Sequence, residues 1–146
     1  MLFDEFRALV AGTKLKQPRW FALESDRRAT DTELQQAERH IGAALPEQYR
    51  RFVSEYGGGF FGFAKVFSVQ PDSDFNLVAI NRREGLVGSG FVAVSDNGAG
   101  DLYAFKVADG SCGASIWFHD HEANEWRKTQ FADLLDFLAQ RALRRS

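Results

Sequence analysis

Residues 45–59 read LPEQYRRFVSEYGGG. Pro46 suits the first position of a helix, where its missing N–H leaves no backbone acceptor unserved. Leu45, Tyr49, Phe52, Val53 and Tyr56 then recur on one face. Glu47, Arg51 and Glu55 run along another face at i,i+4 spacing, as on a solvated side with favourable charge pairs. The run Gly57, Gly58, Gly59 ends this helix. A second stretch, residues 97–105 (NGAGDLYAF), reads as a tight glycine turn entering an aromatic strand. The two stretches set the plan of the chain, with helices first and a sheet after them.

Upstream, Phe3, Phe6 and Val10 predict a first helix over 2–11, with Gly12 near its end. Residues 13–29, interrupted by Pro18, read as a loop with Trp20 tucked onto the core. Thr30 and Glu33 form a capping box for a helix whose apolar stripe is Leu34, Ala37 and Ile41, with Gly42 as its C-terminal stop. Downstream the period changes. Residues 61–69, 91–95, 102–107 and 115–119 are short, aromatic and β-branched, bounded by Gly, Asp and Asn, and predict strands. Asp109-Gly110 predicts a hairpin turn between the strands at 102–107 and 115–119. Residues 125–128 suit a last short strand, and 72–83 fit either a short helix or a loop. A final helix over 131–144 carries Phe131, Leu134, Leu135 and Leu138 inward, with Asp133 and Asp136 early and Arg141, Arg144 and Arg145 late, matching the helix dipole. The order predicts an α+β fold: N-terminal helices, a mainly antiparallel sheet, and a C-terminal helix packed on one face of it.

A chain of 146 residues is expected to form one domain, residues 1–146, and its 14 Phe must supply much of the core. A net charge of −2 argues against a general nucleic-acid binder, which needs a basic surface. The single cysteine, Cys112, rules out an internal disulfide and fits a reducing cytoplasm. The start, MLFDEFRALVAG, has no basic region before an apolar run, so no secretory signal is expected there. No stretch has the ~20 apolar residues of a membrane helix, and no membrane partner is expected.

Catalytic motifs are sparse. His119 and His121 would share a strand face, and with Asp101 they outline a small metal-dependent hydrolase; no HExxH spacing accompanies them. The structural alternative is a strand end followed by a polar turn. Gly88-Ser89-Gly90 lacks the spacing of a nucleophile elbow, and Cys112 has no local group to lower its pKa. Neither a cofactor nor a metal is expected. Charge is more suggestive. Between Ser95 and Glu125 lie six carboxylates (Asp96, Asp101, Asp109, Asp120, Glu122 and Glu125) against one base, Lys106, a net −5. Carboxylates so concentrated can steer a basic partner, or they can be no more than solvated turn residues. Strand alternation places Tyr103, Phe105 and Val107 on one face, and Trp117 beside His119 on a face that helices need not cover. Trp117 there is a candidate interface anchor.

These residues together resemble the SUKH superfamily, which takes in bacterial immunity proteins and fungal regulators of cell-wall assembly. The resemblance rests on Gly42, Leu45-Pro46, Tyr49, Phe52 and Gly57-Gly58. It continues through the turn ending in Gly100-Asp101, the pair His121-Glu122 after a strand, and the closing phenylalanine-leucine helix. It covers about residues 30–140; the first 29 residues and 70–90 match nothing specific. Gly57 stands where the family often has asparagine.

The resemblance implies an α+β domain without catalytic residues, and it makes the HDHE group a fold element rather than a metal site. The expected partner is a cognate toxin with a basic surface, neutralised by direct binding in the cytoplasm. Asp96, Asp101, Asp109, Trp117, Asp120 and Glu122 are the expected contact residues. The alternative is a regulatory or scaffold module binding an endogenous protein.

Overall fold

The computed structural model describes residues 1–145. Five α-helices and six strands follow in order: α1 (Phe3–Lys16), a 3-10 turn (Pro18–Phe21), α2 (Asp31–Ile41), α3 (Glu47–Tyr56), β1 (Gly59–Phe61), β2 (Ala64–Val66), α4 (Leu77–Arg83), β3 (Phe91–Asp96), β4 (Leu102–Ala108), β5 (Ser111–Asp120), β6 (Glu125–Lys128) and α5 (Leu134–Arg141). β1 and β2 form an antiparallel pair, and β3-β4-β5-β6 form a four-stranded antiparallel sheet in sequence order. The fold is α+β.

The predicted helix signals operate as read. The Thr30 hydroxyl accepts from Glu33 N–H at 3.2 Å while the Glu33 carboxylate accepts from Thr30 N–H at 3.1 Å, and Gly42 closes α2 in the left-handed region. Leu45 just before α3, and Tyr49, Phe52 and Val53 within it, are buried, and Tyr56 is half-buried. Tyr49 is a tyrosine for a reason. Its hydroxyl donates to the carbonyl of Phe67 at 2.6 Å inside the core, so the backbone leaving β2 keeps its acceptor satisfied; burial pushes the phenol pKa far up. Glu38 joins α2 to α3 by accepting from Leu45 N–H at 2.7 Å and from the Arg50 guanidinium.

Gly57, Gly58 and Gly59 all have positive φ. A Cβ on Gly57 would stand 1.9 Å from the Asp26 carbonyl oxygen. The run therefore does more than end α3. It lets the segment around Asp26 lie directly on the backbone, where Asp26 N–H donates to Gly58 C=O at 2.9 Å and Ser25 bridges Gly59. The Asp26 carboxylate then accepts from the hydroxyls of Ser68 and Ser73, each at 2.6 Å.

Several expected boundaries shift. α1 runs past Gly12 to Lys16 and stops there because Gln17, the residue preceding Pro18, is disfavoured in helical conformation. The expected loop over 13–29 thus contains the last turn of α1 and a 3-10 turn, on which Trp20 packs against Phe63 with ring centroids 4.7 Å apart. Pro46 is the N-cap of α3 rather than its first residue. The expected strand over 61–69 is broken after Phe61, because Gly62 turns with φ +55 beneath the Ala142 carbonyl, where a Cβ would lie at 2.1 Å. Within 72–83, Asn76 caps α4 by accepting from Ala79 N–H at 2.9 Å. The last helix is shorter than 131–144 because Asp133 caps it, accepting from Asp136 N–H at 2.8 Å.

α3 and α5 pack on one face of the large sheet, where Tyr49 meets Phe105 and Phe137 meets Tyr103. The outer edge of β3 is closed by Asn81 of α4, which is 1% exposed. Its side-chain amide donates to Ala93 C=O at 3.0 Å, and its carbonyl accepts from Ala93 N–H at 2.8 Å. Phe67 N–H closes the neighbouring Val94 C=O at 2.8 Å.

Gly57→Ala is expected to cost about 3 kcal/mol or more in urea unfolding, since a left-handed penalty of about 1–2 kcal/mol is joined by a backbone clash. Gly42→Ala, whose new Cβ meets nothing within 4 Å, is expected to cost only about 1–2 kcal/mol. Tyr49→Phe is expected to cost about 1–3 kcal/mol, the penalty of leaving the Phe67 carbonyl buried without a donor.

Candidate functional site

The polar end of the large sheet is made by two turns. In the first, between β3 and β4, Asp96 accepts from Gly98 N–H at 3.0 Å. The Asn97 side-chain Oδ1 accepts from Ala99 N–H at 2.9 Å and Asp101 N–H at 3.2 Å. In the second, between β5 and β6, Asp120 accepts from Glu122 N–H at 3.0 Å and Ala123 N–H at 3.3 Å. These short polar side chains satisfy the turn backbones they stand beside.

Asp101 ties the two turns together. Its Oδ1 accepts from His121 N–H at 3.0 Å and from His121 Nδ1 at 2.6 Å, while its Oδ2 accepts from Asn97 at 2.8 Å. The His121 ring lies over Gly100, whose bare Cα leaves room for it. The backbone bond from His121, its imidazole and Asn97 together lower the Asp101 pKa to about 2. The same hydrogen bond raises that of His121, with further help from the charges of Asp101, Glu122 and Asp120. Gly100, Asp101 and His121 are thus one clasp.

The expected contact residues are not all brought together. Asp96, Asp101, Asp120 and Glu122 share this end of the sheet, and Glu125 joins them opposite Asp120. Asp109 does not. It stands at the tip of the β4–β5 hairpin with φ +52, the whole length of β4 away, about 20 Å at strand rise. Asp96 is paired with Lys65 at 2.6 Å. Glu122 and Glu125 are exposed.

Trp117 lies, as alternation requires, on the face away from α3 and α5, in register between Ala104 and Lys128. It is half-buried: Lys106 Nζ sits 4.7 Å above its ring and Phe91 meets it edge-on at 5.8 Å. Phe91 also stacks on Trp126 at 3.9 Å with planes 2° apart, joining the two edge strands of the sheet across this face.

The hydrolase trio is not assembled. His121 follows the end of β5, and His119 turns instead to Asn124, with Nε2 2.9 Å from its Oδ1, and packs on Trp126. Asp101, Asp120 and His121 do place one donor atom each within 4.8 Å of one another, but the Asp101 oxygen nearest His121 is already occupied by two N–H groups. Cys112 is partly buried, and burial with the nearby Glu38 carboxylate pushes its thiol up to about 12, leaving a poor nucleophile.

Lys65, Asn124, Phe91 and Trp126 were not singled out from sequence. Alternation within β3 and β6 could have put Phe91 and Trp126 on defined faces, but only the register shows that the faces are the same one.

A capped helix pair, a glycine run against the backbone, a clasped antiparallel sheet and a closing helix define a small α+β domain of the SUKH type. Residues 31–138 match the family model described as SMI1-KNR4 cell-wall. The chain belongs to the SMI1-KNR4 (SUKH) family, which takes in immunity and regulatory proteins. Comparison with curated proteins gives no match. Among the described residues, no helix is long and apolar enough to cross a membrane.

The clasp gives a pH prediction. A raised His121 pKa contributes stability below the ordinary value of 6.5 and loses it as pH rises through the folded value. The lowered Asp101 pKa contributes above 3.8 and loses it as pH falls toward about 2. The contribution is therefore largest between pH 3.8 and 6.5. NMR titration is expected to place His121 above 6.5 in the wild type and lower in Asp101→Asn. The stability gap between the two proteins should narrow as pH rises through the folded His121 value.

Proposed function

We propose that this chain is a non-catalytic protein-binding domain acting in the cytoplasm as an immunity protein, neutralising a cognate toxin by direct one-to-one binding. Family membership supports the protein-binding role. The observation that carries the toxin reading is the grouping of Asp96, Asp101, Asp120, Glu122 and Glu125 at one end of the sheet, where the Asp101–His121 hydrogen bonds join the two turns. Asp101, Asp120 and Asp96 are largely committed to turns and to Lys65, so the steering charge comes chiefly from the exposed Glu122 and Glu125. A basic toxin surface, such as the nucleic-acid cleft of a nuclease, has the complementary sign. Asp109 and Trp117 would serve only a partner large enough to span from the turns to the hairpin tip or the aromatic face.

A second reading is favoured by the cell-wall description of the matched family: a regulatory module binding an endogenous protein.

The test is capture by the tagged protein of catalytically dead products of the genes beside its own, followed by association kinetics. Glu122→Lys with Glu125→Lys is expected to slow association with the captured toxin about tenfold at low salt, while Asp109→Lys changes it little. Equal rates for the wild type and the double variant would overturn the electrostatic part. Capture of a housekeeping protein in place of a toxin-like domain would establish the regulatory reading.

A further inference from the structure

α1, the 3-10 turn and the end of the chain enclose a cleft of about 360 Å³. Leu9 and Trp20 flank it, Leu143 is buried beneath it, and Gly12 leaves a gap in the helix side that faces it. The apolar surface continues beyond Trp20 onto Phe63, which is 48% exposed; Leu9 is 39% exposed. Concave apolar surface of this kind, open to water, marks a place where another molecule seats.

Lys16 is the one charged residue that lines it. Residues 8–23 contain Lys14, Lys16 and Arg19 and no acid; residues 137–145 contain Arg141, Arg144 and Arg145 and no acid. Lys14 lies over Phe21 and Tyr56, and Arg141 over Phe131. Lys16, which lines the cleft, and Arg19, Arg144 and Arg145 beside it in sequence, are exposed. All the lining residues fall outside the span 31–138 matched by the family model.

We propose that this cleft docks an acidic segment of a partner protein. The segment inserts one leucine-sized or aromatic side chain against Leu9, Trp20 and Leu143 while its carboxylates meet Lys16, Arg19 and the terminal arginines. The concavity favours an inserted side chain over a flat bilayer. The acidic turns of a second copy, at 96–101 and 120–125, carry no large aliphatic or aromatic side chain beyond His121 to insert. The surface is separate from the acidic end of the sheet, and its test does not depend on a toxin.

The probe is a phage-displayed library of random peptides selected on the full-length protein, with recovered sequences resynthesised and labelled with fluorescein. Expected are peptides with Leu, Phe or Trp flanked by Asp and Glu, binding more weakly as salt rises. Gly12→Trp fills the cleft from a position where an added Cβ meets nothing within 4 Å, so the fold is expected to stay intact by thermal melting. It should weaken the peptides at least about tenfold, as should Lys16→Glu with Arg19→Glu. Recovery of no peptide, peptides lacking the acidic-apolar pattern, or unchanged binding to Gly12→Trp would overturn the proposal. So would Gly12→Trp abolishing sedimentation with phosphatidylserine vesicles, or abolishing a dimer seen by light scattering, in place of peptide binding.

Discussion

The contact between the glycine run after α3 and the backbone around Asp26 is the constraint on which the rest of the structure rests. No side chain fits at Gly57, so the chain before α2 can lie against the start of β1 at hydrogen-bonding distance. From there Asp26 reaches Ser68 and Ser73, which positions the segment leading into α4. α4 in turn supplies Asn81 to β3. Tyr49, two turns earlier on the same helix, fixes Phe67 from inside the core. One helix and its exit thus organise an N-terminal loop, a small hairpin and the first edge of the large sheet. An error at this junction would be felt in elements far apart in sequence.

Much of that plan was legible because its signals are local. A capping box, a proline before an amphipathic run, a glycine stop and an Asp-Gly turn each act within a few residues; the box at Thr30, the stops at Gly42 and Gly57 and the turn at Asp109-Gly110 formed as read, and Pro46 lies one position before its expected place. The breaks in the plan came from distant atoms. Nothing near Gly62 announces that Ala142 will sit on it, so residues 61–69 read as one strand. Gly12 looks like a helix end, but Pro18 sets the actual limit of α1.

The site was legible in composition and not in arrangement. Six carboxylates in one segment are plain in the sequence, yet antiparallel topology carries Asp109 to the far tip of its hairpin, while Glu125 arrives at the clasp through β6. Lys65, remote in sequence, takes up Asp96. His119 and His121 invite a metal reading by spacing alone; the end of β5 falls between them and gives them different neighbours, Asn124 and Trp126 for one and Asp101 for the other. The cationic cleft could not be read at all, since it needs α1 and the chain end side by side.

The closure of β3 by Asn81 and Phe67 has a consequence for how the molecule behaves in a crowd. An uncovered strand edge is a template on which like chains polymerise, and a domain so rich in phenylalanine would be vulnerable to it. Here the amide of Asn81 occupies both backbone groups of Ala93. The opposite edge, β6, is only four residues long and bears Glu125, Arg127 and Lys128. With one edge occupied and the other short and charged, the sheet offers little footing for fibril growth. A chain with such edges can reach high concentration without pairing edge to edge with its own copies.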